Sequence, residues 1–133
     1  MNHVQTVQDV YAAFQRGDVA AIQSAVSETV DWRNDGVESR ECPWNGDFSG
    51  KAGVAGFFQV VAEHLDFTVF DVKKMAASEQ CVAVHLRIES VLRKNGRRLA
   101  NDSIHLWTFD DHGQIASYRH FNDTAAELAA WRA

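Results

Sequence analysis

Three short stretches carry the side chains best suited to chemistry on a small molecule. Residues 104–109 read Ile-His-Leu-Trp-Thr-Phe. In an extended strand alternate side chains share a face, so an inward His105 brings Trp107 and Phe109 with it and sends Ile104, Leu106 and Thr108 to the other side. An imidazole between aromatic rings suits a general acid or base, because its ordinary pKa of about 6.5 needs little adjustment to work near neutrality. The structural alternative is a hydrogen-bonded histidine that only shapes a cavity. Further along, Tyr118, His120 and Asn122 alternate with Ser117, Arg119, Phe121 and Asp123. One set or the other faces inward unless a bulge intervenes. Earlier, Trp32 and Asn34 share one strand face, where the indole suits stacking on a flat ligand and the amide suits a hydrogen bond. A tryptophan there serves equally well as core.

Other chemistries are poorly served. Of six histidines, His3, His64 and His112 read as terminal, helical and turn-located, and His85 shares no obvious face with His105 and His120. Two histidines without a close carboxylate make a poor metal site, so neither metal nor cofactor is expected. There is no glycine-rich phosphate loop, no nucleophile elbow around a serine, and no cysteine in an activating motif.

The elements that must position these residues follow from periodicity. Val4, Val7, Tyr11 and Phe14 recur at helical spacing, with Gly17 where a left-handed cap belongs. Asp18 then caps a second short helix striped by Val19, Ile22 and Val26. A strand is expected over 29–34. Residues 35–53, rich in Gly, Asp, Asn and Ser and holding Pro43, read as one long irregular excursion. Val54, Phe57, Phe58, Val61 and Leu65 stripe a third helix over about 52–65, which Gly53 and Gly56 weaken. After Asp66 the period becomes two, with Val82, Val84, Leu86 and Ile88 on one face. Asn95-Gly96 predicts a hairpin whose two central residues take positive φ. Another pair of strands surrounds 110–113. Asp123 precedes Thr-Ala-Ala-Glu, where Thr124 and Glu127 have capping-box spacing for a C-terminal helix. Capping that helix, or pairing with Arg119, is therefore the structural expectation for Asp123.

The 133 residues and their 46% hydrophobic content suit one domain spanning 1–133. A formal charge of -5 argues against a nucleic-acid partner. The one basic run, Arg93, Lys94, Arg97 and Arg98, reads as a solvated hairpin tip. Cys42 and Cys81 form no disulfide framework, which fits a reducing cytoplasm. The N-terminus lacks the pattern of a signal peptide and no apolar run approaches a membrane span. A cytoplasmic protein without a membrane partner is expected.

The stretches VQDVYAAFQRGDVAAIQSAVSETVDW, FSGKAGVAGFF and SIHLWTFDDHGQIASYRHFNDTAAE, in this order, resemble the nuclear transport factor 2-like superfamily, in its SnoaL-like and ketosteroid isomerase-related branch. The resemblance covers almost the whole chain. It implies an α+β fold, a cone-shaped α+β barrel in which three N-terminal helices pack in a strongly curved, mostly antiparallel sheet around one pocket. A homodimer through the outer sheet face is implied as well, with Ile104, Leu106 and Thr108 near the contact. The steroid isomerase set does not carry over. Its tyrosine position falls on Val10, its base position on Asn34 and its acid position on His105, while Tyr11, one residue off, is expected to face elsewhere. The same alignment favours Tyr118, His120 and Asn122 as the inward set. Polyketide cyclases of the SnoaL type use a strand-borne histidine and an aspartate near the end of the last strand, without metal or cofactor. Their nearest matches are His105 and Asp123, at a separation that departs from the family pattern.

These observations lead to a small-molecule pocket protein, a cofactor-independent isomerase or cyclase-type lyase acting on an apolar, carbonyl-bearing compound by acid-base catalysis. His105 and Asp123 are its catalytic candidates, and Trp32, Asn34, Trp107, Tyr118, His120 and Asn122 bind the ligand. The alternatives are a non-catalytic binding module and a dimeric partner domain on the same fold.

Overall fold

The computed structural model describes residues 2–34 and 40–133. Helix α1 (His3–Gln15) starts at Asn2, whose side chain accepts from the Gln5 N–H at 2.7 Å, and stops before Gly17. Helix α2 (Val19–Ala25) is capped by Asp18, which accepts from the Ala21 N–H at 3.0 Å. Its stripe does not extend to Val26 as the spacing suggests. Val26 is already extended and opens β1 (Val26–Asn34), so helix passes into strand without a loop.

Part of the long excursion, 35–39, lies outside the described residues. The remainder is not wholly irregular, because Gly46–Asp47 form a short edge strand, β2, antiparallel to Arg33 and Asn34. Helix α3 (Lys51–His64) buries Val54, Phe57 and Val61. Gly53 is required there, since a Cβ at that position would lie 2.3 Å from the Phe48 carbonyl oxygen.

Strands β3 (Leu65–Ser78), β4 (Cys81–Leu92), β5 (Arg98–Phe109) and β6 (Ile115–Phe121) follow, and α4 (Thr124–Arg132) ends the chain. The six strands lie in the order β2-β1-β6-β5-β4-β3. All neighbours are antiparallel except β1 and β6, a parallel pair that an antiparallel meander does not anticipate. The fold is α+β, four helices against a curved, mostly antiparallel sheet. Register shifts in β1, in β3 and near the end of β5 give local bends of the kind that curve a sheet.

The β4–β5 connection departs from the two-residue turn expected at Asn95-Gly96. Only Gly96 has positive φ, +71°, and its N–H bonds to the Leu92 carbonyl at 2.8 Å. Asn95 instead spends its side chain on α4, donating to the Ala130 carbonyl at 2.8 Å. Beside it the Lys94 ammonium lies 4.0 Å above the Trp131 ring and donates to the Trp131 carbonyl. Arg93 pairs with Asp66 and Arg98 with Glu89. The basic tip is therefore a dock for the C-terminal end of α4, where cations are favoured by the unpaired carbonyls. Among the described residues no helix is long and apolar enough to cross a membrane.

Candidate functional site

Strand register arranges the candidate residues in rows. Trp32 of β1, Tyr118 of β6 and Trp107 of β5 are successive cross-strand partners, and two positions along lies the row Asn34, His120, His105. Alternation then places Ser103 and Asn101 on the same face of β5, opposite Leu86 and Ile88 of β4. His105 is 5% exposed, whereas Ile104 beside it is 41% exposed and Phe121, on the outer face of β6, is 46% exposed. The open question of which β6 set faces inward is thus answered. Tyr118, His120 and Asn122 line a cavity of about 100 Å³ together with Trp32, Asn34, His105 and Trp107. Its other walls come from α1 (Val10, Tyr11, Phe14), α3 (Phe57, Phe58, Val61) and the phenylalanines of β3. Trp32 stacks on Tyr118 at 4.2 Å between ring centres, so it is both core and cavity wall.

Tyr11 corrects the expectation that it faces elsewhere. Its hydroxyl lies 2.9 Å from His105 Nδ1, and the Trp107 indole N–H donates to the same oxygen at 3.1 Å. Successive residues on a helix are about 100° apart, and the sheet encloses enough of α1 to take both Val10 and Tyr11. Burial raises the Tyr11 pKa, partly opposed by the Trp107 hydrogen bond. Tyr118 is raised well above its ordinary value by burial and then by the neighbouring Tyr11.

Asn34 joins the second row. Its Oδ1 lies 2.8 Å from His120 Nδ1 and accepts more weakly from the Tyr118 hydroxyl at 3.4 Å, while its Nδ2 donates to Asn45 Oδ1 at 3.0 Å. The two imidazoles meet edge to face, 4.8 Å between centres. Burial, and then the proximity of His120, hold His105 well below the ordinary histidine range, and burial brings His120 down to about 4. Both rings are neutral at pH 7.

Asp123 is not brought to this cavity. It is exposed and caps α4, accepting from the Ala126 N–H at 3.1 Å, while its main chain exchanges two bonds with the Asn101 side chain. With Asp123 as the cap, Glu127 stands one place too far along for a capping box and turns inward instead. Its carboxylate is 1% exposed, takes the Trp44 indole N–H, and accepts from Asn122 Nδ2 at 3.4 Å. Sequence reasoning missed Glu127 and Trp44 because only tertiary packing unites them. It also passed over Ser103 and Asn101, which the alternation from His105 would have found.

Among the described residues, three buried side-chain polar atoms have no hydrogen-bond partner in the protein: Trp32 Nε1, Ser103 Oγ and His120 Nε2. All three belong to cavity-lining residues. Buried polar groups are normally paired, so these three atoms are unspent hydrogen-bonding capacity among the residues that line the cavity. Among the described residues, no group of three or more His, Cys, Asp or Glu could hold a metal ion. His85 lies on the outer face against Asp102 at 3.1 Å.

Comparison with solved structures finds the same fold throughout. An NTF2-like protein of unknown function from Burkholderia pseudomallei K96243 is 23% identical, with a TM-score of 0.89 over 100% of this chain and 99% of its own. TerC, co-crystallized with polyporic acid, is 21% identical, with a TM-score of 0.85 over 98% of each chain. An LEH-like epoxide hydrolase of M. tuberculosis is 15% identical, with a TM-score of 0.73 over 98% of this chain and 90% of its own. A comparison with curated proteins finds no match. The SnoaL-like domain matches residues 7–118, from within α1 to the middle of β6, a span that holds His105 and stops short of His120 and α4, and the chain belongs to the SnoaL-like domain family.

Proposed function

We propose that the protein binds a small, mostly apolar, carbonyl-bearing molecule and moves a proton on it, as a cofactor-independent isomerase or cyclase-type lyase. The observation that carries this is the buried relay Trp107–Tyr11–His105, with contacts of 3.1 and 2.9 Å. The indole N–H can only donate to the phenol oxygen, and among the described residues His105 Nδ1 is the one acceptor for the phenol proton, which orients the ring. The other ring nitrogen is left to address a carbonyl oxygen. A neutral imidazole N–H fixed beside that oxygen stabilises the charge that grows on it during enolisation, more strongly in a buried site of low dielectric. His120 Nε2, unpartnered among the described residues, takes the proton that leaves the α-carbon. Trp32 and Tyr118 offer a flat wall to a ring. Asn34, Ser103, His120 and Asn122 supply the few polar contacts that orient a ligand. The co-crystal of TerC with polyporic acid and the hydrolase activity in the name of another structural relative support small-molecule chemistry on this scaffold.

A second reading, binding without turnover, is favoured by the depressed proton affinity of both imidazoles, since a base that binds protons weakly abstracts them weakly. The two readings part in heavy water. Incubation with enolisable aryl ketones is expected to exchange their α-hydrogens for deuterium faster than buffer does. Binding of the same ketones without faster exchange overturns catalysis.

A further inference from the structure

The two imidazoles hold different protons, and the difference specifies a guest. Asn34 Oδ1 can only accept, so at 2.8 Å from His120 it places the proton on Nδ1. Asn34 itself is kept in that orientation by its Nδ2 donating to Asn45 Oδ1 at 3.0 Å, and reversing the amide would bring two oxygens together there. His120 Nε2 is then a bare lone pair, buried among cavity-lining groups with no partner among the described residues. His105 is the opposite tautomer. Among the described residues the Tyr11 hydroxyl has two hydrogen-bond partners, the Trp107 indole N–H, which can only donate, and His105 Nδ1, which is thus the one acceptor for its proton, so His105 carries its hydrogen on Nε2. Across one cross-strand pair the cavity therefore offers one ring donor and one ring acceptor.

We infer that His120 Nε2 accepts a hydrogen bond from a ligand hydroxyl, so that the cavity selects phenols or enols over the matching ethers and hydrocarbons. This rests on the small-molecule reading above and names the class of ligand within it. The surroundings agree with a neutral donor. Trp32, Tyr118 and Trp107 form an aromatic wall one row away, suited to a planar ring, and the weakly basic His120 takes a hydrogen bond without taking the proton. Ser103, two positions from His105 on the same face, brings an unpartnered hydroxyl within diagonal reach of His120. A ligand hydroxyl that donates to His120 can also accept from Ser103. Asn34 is a positioning residue, acting through the His120 tautomer.

Two measurements on the full chain test this. Long-range nitrogen–proton NMR of the histidine rings is expected to show His120 protonated on Nδ1 and His105 on Nε2. Phenol, anisole and toluene are then titrated against the wild type and His120→Phe. Phenol should bind the wild type about tenfold more tightly than anisole or toluene, the scale of one well-formed hydrogen bond, and that preference should vanish in His120→Phe while toluene affinity persists. Equal affinity for phenol and anisole, or a His120 proton on Nε2, overturns the inference while leaving a small-molecule cavity in place. Failure of all three probes to bind overturns both. Should His120→Phe fail to fold, the wild-type tautomer and the phenol-to-anisole ratio decide by themselves.

Discussion

His105 and His120 face each other as cross-strand partners in β5 and β6, their rings 4.8 Å apart and nearly perpendicular. Neither can take a proton without placing charge against the other in a cavity that is poorly solvated. The first prediction follows from this coupling.

Both histidines have folded-state pKa values below the ordinary 6.5, His120 at about 4. Well above pH 6.5 both are neutral, folded or unfolded, and contribute no pH dependence. As the pH falls from 6.5 toward 4 the unfolded chain takes protons that the folded chain refuses, so stability drops by about 1.4 kcal/mol per pH unit for each such imidazole. Urea midpoints between pH 7 and pH 4.5 should show this slope, and His105→Gln should flatten it. A wild-type midpoint that holds constant down to pH 4.5 contradicts the burial argument.

Tyr11→Phe removes one oxygen and orphans two buried groups, His105 Nδ1 and Trp107 Nε1. Losing one partner of a buried pair costs about 1–3 kcal/mol, so a clear fall in the denaturation midpoint is expected. Trp107 fluorescence should also change in the folded state. A variant as stable as wild type with an unaltered tryptophan spectrum would deny the relay.

Asp123→Ala should cost about 1 kcal/mol through loss of the α4 cap. Ligand affinity and any proton transfer should be unchanged. A kinetic loss of about 100-fold with stability intact would return Asp123 to the chemistry.

Ile104 and Phe121 are direct partners on the outer face of β5 and β6, each more than two-fifths exposed. We propose that a second copy covers them, because a paired apolar patch on an open sheet face is what a twofold contact uses. Sedimentation should give a dimer at micromolar concentration, and Phe121→Asp should shift it to monomer. A monomeric wild type removes the proposal.

Much of this was legible in alternation alone. The period of two over 104–109 placed His105, Trp107 and Phe109 inward together, and the Gly17-Asp18 corner marked where two helices meet. What escaped depended on contacts distant in sequence. Tyr11 reaches His105 only because the sheet wraps a wide arc of α1, and Glu127 meets Trp44 through the packing of α4, whose end is held by the 93–97 turn. Asn95 looked like a turn residue by local rule. It does lie in the turn, and its side chain also donates to α4 across a connection longer than two residues.

Hydrogen exchange at the α-carbon of an enolisable aryl ketone in heavy water, compared between wild type and His105→Ala, tests the central claim most directly. The folded variant should retain ketone binding and lose about 100-fold or more of the wild-type exchange rate, the usual scale for one acid-base group. Equal rates in the two proteins, both above buffer, would contradict the role given to His105.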